Sequence, residues 1–111
     1  MLQERLGLNK TPILWITKVD DDTGVNPTRL PYLMSLLLDF MHQSEVSPVI
    51  LFDGFEYMVL ENGFDAMFKF LVTLKDYAYI HRSTVILFVE IEALSRKERA
   101  LLLSEFPLLE D

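Results

Sequence analysis

The chain has no cysteine in its 111 residues, which excludes disulfides, thiolate nucleophiles and cysteine-ligated zinc sites. It has four glycines, and none falls in a Gly-x-Gly-x-x-Gly or Gly-x-x-x-x-Gly-Lys pattern, so neither of the usual phosphate-cradling loops is present. Long apolar runs are missing too. Leu36-Leu37-Leu38 and Val49 to Phe52 fall far short of a membrane span. Positive charge is scarce: 10 Lys and Arg against 17 Asp and Glu give a formal charge of −7. Such a balance disfavours phosphate backbones and anionic lipid surfaces, so neither nucleic acid nor membrane is an expected partner. The basic residues that cluster are Arg96, Lys97 and Arg99, and Glu98 dilutes them. The start, Met1-Leu2-Gln3-Glu4-Arg5, lacks a basic-then-apolar leader pattern, and a cytoplasmic location is the expectation.

Half of the residues are hydrophobic. A chain of this length holds enough of them for one core, so residues 1–111 read as a single domain. Ile13 to Thr17, opened by Pro12, reads as a strand, because proline is tolerated at a strand's first position. Val49 to Phe52 and Val85 to Val89 are short apolar runs rich in β-branched residues, a pattern that suits strands buried on both faces. Helices fill the gaps. Thr28 is placed to cap one with Pro31 in its first turn; Leu30, Leu33, Met34, Leu37 and Met41 form its apolar face, and Ser35, Asp39 and His42 its polar stripe. Asn62 is placed to cap another, which buries Phe64, Met67, Phe68, Leu71, Leu74 and Ala78. Ser95 and Glu98 have capping-box spacing ahead of a last helix that Pro107 stops.

Strand and helix alternating in this way predict βαβ crossovers and an α/β fold in three layers, with a small parallel sheet of three strands. In such sheets ligands bind beyond the carboxyl ends of the strands. Those ends carry Asp20, Asp21 and Asp22 after the first strand, Asp53 after the second and Glu90 after the third, with Glu56 and Glu92 close behind. Two readings stand side by side. Converging carboxylates suit Mg²⁺, which takes oxygen ligands and retains waters; acidic, solvated loops are what an acidic chain supplies in any case, and that reading is the one favoured. His42 and His81 are the only histidines. With no cysteine to join them, a zinc site would need distant carboxylates, and His42 is expected simply to be solvated. No serine sits in a glycine-flanked nucleophile pattern. Catalysis is therefore not expected.

The stretch Val49 to Met58, with Asp53-Gly54-Phe55-Glu56-Tyr57 at its centre, resembles the signature of an archaeal family known as domain of unknown function 835. Leu14-Trp15-Ile16-Thr17, Asn26-Pro27-Thr28, Glu61-Asn62-Gly63-Phe64-Asp65 and Ala93-Leu94-Ser95 resemble it as well. Its motif positions here are Asp53, Gly54, Glu56, Tyr57, Asn62, Gly63 and Phe64. The resemblance implies an archaeal protein whose relatives attach this domain to sensory or histidine-kinase modules, and it implies no activity. Relatives carry a further strand and helix ahead of the region where this chain begins, so it reads as a short or N-terminally truncated member. The apolar strand ending in Asp53 is also similar to the Walker B strand of RecA-like ATPases. The glycine-rich loop that makes such a strand useful is missing, leaving a degenerate RecA-like core.

These readings predict a non-catalytic interaction or signalling module without a cofactor. Asp53 and Glu56 then accept backbone N–H groups after the central strand or pair with a base such as Arg82. One alternative is a receiver-like, Mg²⁺-dependent phosphoacceptor at Asp53. Against it, Glu90 and Glu92 stand where a lysine would neutralise the phosphoryl group. Another is a small-ligand or metal site at the acidic edge, with Phe55 and Tyr57 as aromatic walls. If the strands lie in sequence order, both crossover helices share one face and the last helix covers the other. The third strand is then an open edge without lysine or proline. A homodimer through that strand and the last helix follows, with Leu101, Leu102 and Phe106 as contacts, or docking to other domains of a signalling protein. A 2-1-3 strand order would permit a monomer.

Overall fold

The computed structural model describes residues 13–19, 24–43 and 47–109. The elements are β1 (Trp15–Ile16), β2 (Gly24–Val25), α1 (Leu30–Gln43), β3 (Val49–Phe52), α2 (Phe55–Asn62), α3 (Phe64–Ile80), β4 (Thr84–Leu87), a 3-10 turn (Ile91–Ala93) and α4 (Arg96–Glu105). Helix and strand are mixed, and both strand pairs are parallel. They are β1 with β2, and β3 with β4 in the register Val49–Thr84 to Phe52–Leu87.

The expected three-stranded sheet is absent among the described residues. The first strand is two residues long and pairs with Gly24–Val25, a strand the sequence did not announce, rather than with β3. Thr17 extends that pairing by donating its N–H to the Val25 carbonyl at 2.8 Å. Pro12, expected to open the strand, lies outside the described residues.

The core forms where α2 and α3 meet β3. Phe55, Met58, Met67, Leu71 and Leu74 are fully buried, and Ile50, Phe52 and Phe70 nearly so. Phe64 links two aromatic contacts, edge-on to Phe55 at 6.3 Å and stacked on Phe68 at 5.7 Å. From α1, Leu33, Leu37 and Met41 complete this core, with Leu30 and Met34 at its margin, which is the apolar face that the periodicity predicts. No polar or charged side chain of the described residues is buried.

Two expectations about helix ends and one about the sheet are corrected. Thr28 does not cap α1, which starts two residues later. The Asn26 side-chain oxygen instead accepts both the Thr28 N–H (3.0 Å) and its hydroxyl (2.8 Å), forming a local turn ahead of the helix. Asn62 caps nothing: it is the last residue of α2, and Gly63 stands at the amino end of α3. Helix α2 itself was not foreseen. By contrast, the Ser95–Glu98 capping box forms in both directions, with bonds of 3.0 and 3.1 Å.

The strands are not buried on both faces. Along β3, Ile50 and Phe52 point into the core while Val49 is 51% and Leu51 60% exposed. The register places Ile86 beside Leu51 and, one step on, Phe88 follows, half exposed. A layer that would cover this face is absent among the described residues. Helix α4 packs against α3, to which Glu105 is tied by an ion pair with Lys75. This packing buries Leu102 (2% exposed), leaves Phe106 half-buried and exposes Leu101 in part. Leu102 is therefore a core residue rather than a dimer contact.

Candidate functional site

The carboxyl ends of β3 and β4 lie side by side, because the strands run parallel and in register. The chain leaves β3 through Asp53 and turns at Gly54, whose φ of 89° and ψ of 25° are left-handed, a conformation glycine reaches without strain. Asp53 Oδ1 accepts the Gly54 N–H at 2.9 Å and so helps to hold its own turn. Glu56, in the first turn of α2, where a negative charge suits the helix dipole, reaches across to the other strand. Its Oε1 accepts the Glu90 N–H at 2.5 Å. These two carboxylates thus close the end of the sheet by binding backbone donors. Arg82 does not take part: it precedes β4, so parallel strands place it at the opposite end of the sheet from Asp53. It ends α3 in a left-handed conformation, φ 55°.

Asn62 does the same work at the far end of α2. Its side-chain nitrogen donates to the Pro27 carbonyl at 2.9 Å and to the Met58 carbonyl at 3.0 Å, joining α2 to the segment before α1. Beside it, Glu61 pairs with Lys18 at 2.5 Å, fastening α2 to the segment after β1. Gly63 then adopts φ 86° and ψ 156°, a region open essentially to glycine alone, and reverses the chain into α3.

The expected metal edge is not assembled from the described residues. Asp20, Asp21 and Asp22 lie outside them, which leaves Asp53 and Glu90 of the five expected ligands. No group of three His, Asp or Glu side chains able to hold an ion occurs among the described residues. Phe55 is fully buried and is core, not a ligand wall; Tyr57 is partly exposed. Phe64 too is core. Asp53, Gly54, Glu56, Asn62, Gly63 and Phe64 therefore all have structural roles around α2.

A family model described as Protein of unknown function (DUF835) matches residues 1–106, nearly the entire chain. The chain belongs to this family. No curated protein and no solved structure matches it. In this DUF835 chain the signature residues surround one element, α2: Asp53, Gly54, Glu56, Asn62 and Gly63 supply the clamps and turns that seat it, and Phe64 belongs to the core beside it. Among the described residues no helix is long and apolar enough to cross a membrane. What sequence reasoning missed is the open face formed by Val49, Leu51, Ile86 and Phe88. An unbroken apolar run reads alike whether one face of a strand is covered or two, so the sequence carried no signal for it.

Proposed function

We propose that this domain is a non-catalytic interaction module that docks through the uncovered face of the β3–β4 pair. The observation that carries the reading is the exposure of Val49, Leu51 and Phe88 at half or more of their surface, side by side on one sheet face. Parallel strands are ordinarily covered on both faces, and contiguous apolar surface marks a contact site. Asp53 and Glu56 each give one carboxylate oxygen to a backbone N–H, which supports a structural part for both. The partner is a second copy of this chain or another domain of a cytoplasmic, archaeal signalling protein. A further strand beside β3 or β4 would complete the three-stranded, RecA-like sheet that the Walker B-like run resembles.

The test is Leu51→Asp, followed by sedimentation at micromolar concentration and by thermal denaturation. The expected outcome is a wild-type dimer that becomes a monomer in the variant, with stability changed by less than about 1 kcal/mol. A wild-type monomer with equally unchanged stability in the variant assigns the face to another domain. A variant destabilised by several kcal/mol would mean that the chain covers the face itself, and the proposal would be wrong.

A further inference from the structure

The two histidines of the chain, one on each side of β3 in sequence, meet in space. His42 lies in the last turn of α1, and His81 stands at the carboxyl end of α3. Their rings approach edge-on, with centroids 4.6 Å apart and planes at 61°. His42 is exposed and His81 half-buried, so the pair is open to solvent.

We propose that His42 and His81 form a surface chelate for a divalent transition-metal ion, Cu²⁺ or Ni²⁺ in preference to Zn²⁺, that ties the ends of α1 and α3 together. Imidazole is the commonest protein ligand for such ions. With metal–nitrogen bonds of about 2.0–2.1 Å, two imidazole centroids lie ~4.5 Å apart when the ligands subtend about 90° and ~5.2 Å apart at the tetrahedral angle. The observed spacing is that of the right-angled pair, the arrangement favoured by tetragonal Cu²⁺ and Ni²⁺.

The local field favours a cation. Two helix carboxyl ends converge here, and each presents the negative end of its dipole. Asp39 lies one turn before His42 on the same helix and adds negative charge nearby, whereas Arg82, next to His81, opposes it. No third imidazole or carboxylate stands within ligating reach among the described residues, so water fills the other positions. The site is a two-nitrogen clip, and Mg²⁺, which takes oxygen ligands, is not held.

The experiment uses tag-free protein. Thermal denaturation with NiCl₂ should raise the melting temperature and with MgCl₂ should not, because an ion that binds only the folded state stabilises it. His42→Ala and His81→Ala should each weaken Ni²⁺ binding by at least about tenfold, since even outer-shell partners are worth that much. Electron paramagnetic resonance of the wild-type protein with one equivalent of Cu²⁺ should show two coordinated nitrogens, a readout that does not depend on how the variants fold. Ni²⁺ affinity unchanged in either single variant, an absent shift at millimolar Ni²⁺, or a Cu²⁺ spectrum without two nitrogens would each overturn the assignment.

Discussion

The side-chain nitrogen of Asn62 donates at 2.9 Å to the carbonyl of Pro27, a residue with essentially no exposed surface, and so joins two segments far apart in sequence. The same nitrogen holds the Met58 carbonyl one turn back in α2. One amide thus fixes where α2 ends and where the turn before α1 lies. Asn62→Ala leaves the Pro27 carbonyl without this donor and is expected to cost about 1–3 kcal/mol. Asn62→Asp should cost more, because a carboxylate donates nothing and faces two carbonyl oxygens. Chemical denaturation of the two variants checks the order.

Gly63 joins α2 to α3 at φ 86° and ψ 156°. A Cβ added there meets nothing within 4 Å, so any penalty of Gly63→Ala comes from the backbone alone. The expected loss is about 1–3 kcal/mol. At Gly54, also free of neighbours, the conformation is left-handed, which asparagine tolerates, so Gly54→Asn should be the milder change. Equal losses at the two glycines would contradict this account.

Glu56 and Asp53 separate a clamp from a reactive group. Glu56→Ala removes the acceptor of the Glu90 N–H, and hydrogen exchange at that amide should accelerate, whereas Glu56→Gln should retain most of its protection. Asp53→Asn keeps an oxygen for the Gly54 N–H and should leave stability within about 1 kcal/mol. Incubation of the wild-type protein with acetyl phosphate and Mg²⁺ should give no phosphate adduct by intact mass; an adduct lost in Asp53→Asn would restore the phosphoacceptor reading.

Neighbouring leucines of α4 should behave oppositely. Leu102 is 2% exposed and Leu101 37%. Leu102→Ala is expected to cost about 2–5 kcal/mol through the cavity it leaves. Leu101→Ala, at a partly solvated position, should cost far less, and parallel thermal melts of the two variants measure the difference.

The parts of this fold legible in the sequence are those set by local chemistry. The buried faces of α1 and α3 follow from the helical spacing of their leucines, methionines and phenylalanines, and the Ser95–Glu98 box follows from side chains that reach their own backbone. Helix α2 was readable in principle from Phe55, Met58, Val59 and Asn62, whose spacing is helical, but it is short and sits within a stretch that the Asp53-Gly54 turn made look like a loop. Asn62 shows the limit most clearly. An asparagine before Gly-Phe has the chemistry of a cap, and only the distant Pro27 carbonyl gives it a different partner. The pairing of β1 with Gly24–Val25 and the bare side of β3 were not legible, because pairing and coverage depend on which other segments arrive, and no residue within β3 records that.

The β3–β4 pair also governs the order of assembly. Val49 pairs with Thr84, and everything between them is α2, α3 and their turns. Two strands of four residues have no independent stability, and closing so long a loop costs entropy before any ladder bond repays it. The strands therefore pair only once Phe55, Met58, Met67 and Leu71 have begun to pack. The expectation is a folding nucleus where α2 meets α3, with β4 joining late. Substitutions at Met58 or Met67 should slow folding, while those at Ile86 should chiefly hasten unfolding.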